Sequence, residues 1–259
     1  METLLLIAGL GAVTGFLSGL LGIGGGIVMA PLLLYVPPLF GLEALNMRTV
    51  AGLTIVQGFA ACVSGALTHQ RFHFVSGPLV AHMGTSIFVA AALGGAAANF
   101  ASNRLLLAVF GSLAAVAAVL ILVPMRQDLE QPEVQELGFS RSRAVGSAIG
   151  VGVLGGLVGQ GGSFILIPLM TWFVRVPTRI AIGSNLAIVL LSTTAALLGK
   201  AITGQIDWLL AAPLVLAVVP AAHIGGRLSR RVPVIRLRRV LAVLIAAAAL
   251  RIWLSILLP

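Results

Sequence analysis

Two stretches of this 259-residue chain repeat each other. Gly15–Pro31 reads GFLSGLLGIGGGIVMAP and Gly152–Pro168 reads GVLGGLVGQGGSFILIP. They share Gly15/Gly152, Gly19/Gly156, Gly22/Gly159, Gly24/Gly161, Gly25/Gly162 and Pro31/Pro168 without a gap. The match resumes where Arg48-x-x-x-Gly52-x-Thr54 aligns with Arg179-x-x-x-Gly183-x-Asn185. Apolar segments interrupted by glycine at corresponding places in two halves are the pattern of a secondary transporter, and the interruptions point to the substrate site.

The surroundings of the repeat place it in a membrane. Apolar residues make up 59% of the chain and charged residues 9%, with a mean hydropathy of +1.12. A soluble domain carries about 25% charge, so this chain cannot clothe a water-facing surface. Its apolar runs, at roughly 3–35, 44–68, 74–99, 103–124, 143–175, 179–203, 207–229 and 234–258, are long enough to cross a hydrocarbon core of about 30 Å. The expected fold is therefore all-α and polytopic, with two repeats of about four segments. These are a first repeat at 1–125, a hydrophilic linker at 126–142 and a second repeat at 143–259. The net charge of +9 does not indicate nucleic acid. The excess sits in short loops, six arginines in Arg227–Arg239 alone, where basic residues orient a membrane protein. Glu2 is the only early charge, so a cleavable leader is not expected. Cys62 is the only cysteine, which excludes a disulfide within the chain.

The first and fifth segments are too long for one crossing. A continuous helix over roughly 33 residues would measure about 50 Å. Each carries its own breaker, Gly22-Ile-Gly24-Gly25-Gly26 and Gly159-Gln160-Gly161-Gly162, and each glycine costs a helix about 1 kcal/mol. The expectation is two half-helices with an unwound elbow in each copy. If these segments return to their own side, the halves are inverted. If all eight segments cross, the halves are parallel. Both arrangements are open at this level.

A half-helix starting near Gly24, Gly25 and Gly26, or near Gly161, Gly162 and Ser163, exposes unpaired N–H groups and the positive end of its dipole, an anion-binding arrangement. Gln160 and Ser163 add side-chain hydrogen bonds. Thr54, Ser184 and Asn185 stand at the matching places of the next helix in each copy, where an amide must face protein or water rather than lipid. Arg48 and Arg179 precede those helices and suit oxyanions, although both could equally snorkel to lipid phosphates. His82 and His223 are the candidates for proton coupling. Gly11, Gly15, Gly19, Gly152 and Gly156 read instead as small residues at helix contacts. There is no phosphate-binding GxxxxGK[ST] loop and no metal-ligand spacing of Cys and His, so neither enzyme chemistry nor a cofactor is expected.

In the doubled G-x-x-x-G-x-x-G-x-G-G element followed by proline, in Gly52 and Gly183, and in the arginine-rich 227–239 loop, the chain resembles the TauE/SafE family of sulfite and organosulfonate exporters, also called the toluene sulfonate uptake permease family. The resemblance covers nearly the whole length. It implies a multi-pass carrier of the bacterial cytoplasmic (inner) membrane that moves small sulfur-containing anions without ATPase domains. Its partners would be that anion and the lipid bilayer, and a homodimer is compatible with the sequence. The two elbows differ, with Gln160 and Ser163 in the second copy where the first has Ile23 and Gly26. An anion channel, or a membrane subunit serving a partner enzyme or sulfur carrier, is the alternative.

Overall fold

The computed structural model describes residues 1–21, 26–68, 75–122, 138–228 and 234–257, and among them every regular element is helical. The first half comprises α1 (Glu2–Leu21), α2 (Gly26–Leu39), α3 (Met47–Thr68), α4 (Gly77–Ala97) and α5 (Asn103–Leu122). The second comprises α6 (Arg141–Val158), α7 (Ser163–Pro168), α8 (Thr178–Ile202), α9 (Trp208–Leu228) and α10 (Val234–Leu257). After Pro168, α7 widens into a π-helical turn, Leu169–Val174. Among the described residues six helices are long and apolar enough to cross a bilayer. Their outward faces carry Leu93, Val119, Leu198 and Leu216, all well exposed, which suits lipid rather than water. Polar residues gather at the ends. Asp207 Oδ1 accepts from Leu209 N–H at 3.0 Å and Leu210 N–H at 3.2 Å, and so caps the start of α9.

The helices pair across the halves rather than within them. α1 packs most extensively on α9, and α4 on α6. Glycine makes both contacts close. Gly11, Gly15 and Gly19 lie against Leu214, Val218 and Ala222 in that order, and Gly152 and Gly156 against Ile87 and Ala91. The register that aligns Arg48 with Arg179 also aligns Ala91 with Ala222 and Gly94 with Gly225. Under that alignment Gly19 on Ala222 and Gly156 on Ala91 are the same contact made twice. So are Gly225 on Phe16 and Gly94 on Val153. At these places a side chain larger than hydrogen would strike the facing backbone. In a membrane, close van der Waals approach of this kind replaces the hydrophobic drive that water would supply.

The order of the contacts also gives direction. α1 and α9 run the same way. α3 joins them, because Gly52 lies against Gln205 while Ser64 Oγ donates to Val219 O at 3.3 Å further along. α4 and α6 run together, and α8 with them, since Ser76 meets Ser184 and Gly95 meets Ala196. The five-residue connection Thr203–Asp207 turns α8 into an antiparallel α9. Arg104 at the start of α5 donates to Ile256 O at 3.0 Å, so α5 and α10 are antiparallel neighbours. Exchanging the halves therefore reverses every direction. α1 and α3 point the same way, so the chain comes back through α2, where Met29 Sδ lies 3.3 Å from Thr14 Oγ1 on α1. Eight successive crossings would have left α1 and α3 antiparallel. The face where α5 ends and α6 begins is called the linker face below. The opposite face holds the starts of α3 and α5 and the end of α8.

Replacing Gly156 by leucine drives a side chain into the Ala91 carbonyl. It should destabilise the fold by about 1–3 kcal/mol or more, read as a lower unfolding midpoint in detergent micelles. Gly9→Ala, whose Cβ meets nothing within 4 Å, should leave the midpoint where it was.

Candidate functional site at the second elbow

α6 stops at Val158 because the next residues cannot continue a right-handed helix. Gly159 has φ 72 and ψ 31, Gly161 φ 63, and Gly162 φ 73 and ψ 9. An L side chain in this left-handed region costs about 1–2 kcal/mol. Gly159 has a second reason to be glycine, since its α-carbon is pressed onto the Ala51 carbonyl of α3. The end of α6 is closed by Gln160 N–H donating to Gly155 O at 2.8 Å and Gly159 N–H to Gly156 O at 3.3 Å. The chain restarts at once. Gly162 O accepts from Ile165 N–H at 3.2 Å and Leu166 N–H at 3.1 Å. The N–H groups of Ser163 and Phe164, ahead of that first bond, have no acceptor in the helix they begin.

The elbow meets the other half. Gly26, the first residue of α2, packs against Gln160, where a Cβ would lie 3.6 Å from the Gln160 α-carbon. Gln160 is buried and turns its amide N–H toward Gly26 O at 3.4 Å, leaving Oε1 with no partner. Gln57 of α3 behaves in the same way. Its Nε2 donates to Thr14 Oγ1 at 2.8 Å while Oε1 stays unpaired. Its orientation follows from Thr14, whose hydroxyl proton goes to Leu10 O at 2.8 Å, leaving that oxygen able only to accept. Asn185 Oδ1, Ser192 Oγ and Ser76 Oγ are also buried without partners. Each such group costs about 1–3 kcal/mol. Native interiors carry few of them.

The expected site residues separate on this geometry. Gln160, Gly161, Gly162 and Gly26 come together. Ser163 opens α7 and Arg179 lies in the first turn of α8. Gly24 and Gly25 lie outside the described residues. Thr54 is buried, but its hydroxyl is turned back to Val50 O at 2.9 Å. Ser184 Oγ accepts from Ser76 N–H at 3.1 Å. Arg48 is exposed, with Nη2 donating to Ala101 O at 3.0 Å. His82 sits at the linker-face end of α4, its Nδ1 2.7 Å from Pro78 O and its ring edge-on to Phe139. His223 lies half-buried in α9. The Gln160 amide N–H serves Gly26 O, and its Oε1, like Asn185 Oδ1, is buried without a partner.

A cavity of about 320 Å³ opens from the elbow between α5, α6 and α7. Gln160, Gly162 and Gly155 line its inner end, and Leu113, Val116 and Leu154 its apolar wall. It continues along Gly150, Ser147 and Gly146 to a vestibule lined by Ser142, Arg143 and Phe173. Gly146 and Gly150 face open space. The Arg143 guanidinium lies 5.7 Å from the Phe173 ring centre, a cation held at the mouth on the linker face.

An all-helical bundle of this kind, with a broken helix beside buried unpaired polar groups, is a multi-pass membrane transporter. The chain belongs to the sulfite exporter TauE/SafE family, whose family model matches residues 7–252. It is 28% identical to a probable membrane transporter protein of Xylella fastidiosa, over 98% of this chain and 97% of that one. It is also 25% identical to the probable membrane transporter protein YunE of Bacillus subtilis, over 85% of this chain and 84% of that one. A second Bacillus subtilis relative, the probable membrane transporter protein YjnA, is 25% identical over 94% of this chain and 97% of its own length. These relatives carry the names of transporters, not enzymes. No solved structure matches the chain.

The residues the sequence reading passed over are Thr14, Ser192, Gln205 and above all Lys200. Thr14 and Ser192 gave no signal, since hydroxyl residues are common in membrane helices. Lys200 did give one. It is the only lysine of a chain whose other basic residues are all arginine.

If the cavity is wetted from the linker face, a cysteine placed at Gly146 or Gly150 should react with a membrane-impermeant maleimide added at that face. It should react far more slowly with reagent added opposite. The native Cys62 is buried and should stay silent.

Proposed function

We propose that this chain is a secondary carrier of small oxidised-sulfur anions, with its substrate site at the junction of the two elbows. The second elbow brings the N–H groups that begin α7 together with Gln160 and Gly162 at the closed end of a cavity. Gly26 brings the start of α2 to the same place. Helix starts favour anions through free N–H groups and the helix dipole. Glycine at 161 and 162 lets an oxyanion reach the backbone. Gln160 can complete the cradle by rotating its amide, since its present bond to Gly26 O is long, 3.4 Å. The further residues proposed for the anion at the elbows are Gly24, Gly25, Ser163, Thr54, Ser184, Asn185 and Arg179, while Arg48, exposed at the start of α3, is proposed to meet the anion only on its way in or out at that face. His82 and His223 are proposed for coupling to protons.

The cavity argues for a particular kind of anion. Its wall beyond Gln160 is apolar, and its volume of about 320 Å³ is large for bare sulfite. A cavity of about 150 Å³ already holds benzene. An organosulfonate, with its charged head at the elbow and its carbon part along Leu113, Val116 and Leu154, uses both ends of the space. This observation carries the preference for organic sulfonates over sulfite.

We assign the linker face to the cytoplasm, because the six arginines of the 227–239 stretch follow α9 at that side. In this state the site then communicates with the cytoplasm. Alternating access would open the opposite face as the halves rock.

Purified protein in liposomes should take up or bind one of sulfite, sulfate, thiosulfate, taurine, sulfoacetate or benzenesulfonate, with saturation and one substrate per cycle. Flux that rises without saturation at channel-like rates would replace the carrier with a pore. Gly162→Leu, which fills the elbow and forces a side chain into left-handed backbone, should abolish transport while the protein still inserts. Gln160→Leu should lower the affinity about tenfold, the effect of one hydrogen bond to a charged group. Full activity in both variants would remove the elbow from the mechanism.

A further inference from the structure

We infer that Lys200, with Arg48 at the same end of the bundle, forms a second oxyanion site at the opposite face, the place where a small anion is received from or released to that side. The inference rests on the carrier reading above and extends it to a residue with no role there.

Lys200 is wholly buried near the end of α8. Its ammonium donates to Leu157 O at 3.1 Å, one of the last carbonyls of α6, and to Gln205 Oε1 at 3.3 Å. An ammonium has three N–H groups, so these two acceptors leave one donor over. Both acceptors are neutral. Arg48, at the start of α3 on the same face, is also a cation. A buried charge normally has a counter-ion, since removing it from water costs several kcal/mol. Here the negative end of the α6 dipole supplies part of that compensation. Among the described residues no carboxylate is seen to supply the rest: Glu2 and Glu43 are exposed, and Asp207 is engaged in capping α9.

The surroundings make a closed door. Gln205 Nε2 donates to Gly95 O at 2.8 Å, and a Cβ on Gly52 would lie 2.5 Å from Gln205 O. Lys200 and Gln205 therefore tie α3, α4, α6 and α8 together at the opposite face, while the cavity lies toward the linker face. Arg48, one turn before Gly52, is exposed at the same end. When this side opens, Lys200 loses neutral acceptors and gains access to a negatively charged one. An oxyanion of the substrate supplies the missing acceptor and the missing counter-charge together. Arginine binds such groups through a planar fork and lysine as a point charge, so the pair accepts small oxyanions of varied shape.

The test uses the full-length carrier in right-side-out and inside-out vesicles, with the transported sulfonate or sulfite added to one face at a time. Lys200→Gln keeps hydrogen bonding but removes the charge. It should raise the half-saturating concentration about tenfold when anion is added at the opposite face, the effect of one charged hydrogen bond. From the linker face that concentration should be unchanged. Lys200→Arg should restore most of the affinity. Arg48→Gln, at an exposed position, should show the same one-sided effect in smaller degree, and it decides the matter if Lys200→Gln does not fold. An equal change from both faces would mean that Lys200 only holds helices together, and no change would mean that it meets no anion. Either result overturns the inference while wild-type uptake leaves the carrier reading intact. Absence of uptake by the wild type would strike that reading itself.

Discussion

A helix that ends inside an apolar bundle leaves carbonyls and amides that lipid cannot satisfy, and the rest of this structure is arranged around that constraint. The end of α6 is met from three directions. Its own turn supplies the N–H groups of Gly159 and Gln160, and α8 supplies the Lys200 ammonium to Leu157 O. α3 presses the Ala51 carbonyl against Gly159. The start of α7 has no side-chain cap, and it lies at the end of the cavity. The polarity of a broken helix thus sorts its neighbours. The cation collects at the carbonyl end, and space collects at the amide end.

The same arrangement explains why so many polar side chains here are half-bonded. Gln57, Gln160 and Asn185 each hold an oxygen without a donor inside a bundle where water is scarce. A structural role would be served better by leucine. Amides retained at this cost keep two hydrogen-bonding patterns within reach, because rotation exchanges donor and acceptor. A transporter that must hold its solute on one side and let it go on the other needs contacts of that reversible sort. A rigid ion pair would hold too well.

Much of this was legible in the chain. Apolar length and scarce charge gave the membrane helices, and the Gly159–Gly162 cluster gave the break after α6. The stripe Gly11, Gly15, Gly19 was readable as a contact surface, because small residues four apart share a helix face. What they contact was not readable. Nothing in α1 says that its partner is α9 rather than α3, since pairing across two hundred residues leaves no local trace. The direction of the Gln160 amide depends on Gly26 O and could not be seen either. The burial of Lys200 was not readable either, because a lysine in the last turn of an apolar helix usually snorkels to water. Here Gln205 and Leu157 O hold it inside.

The exchange of partners between halves has a consequence for how the protein is made. α1 leaves the ribosome first, yet its glycine-lined flank fits α9, which is synthesised almost last. α4 must likewise wait for α6. During most of synthesis the nascent chain therefore sits in the bilayer with unmatched grooves, so insertion and assembly are separate stages.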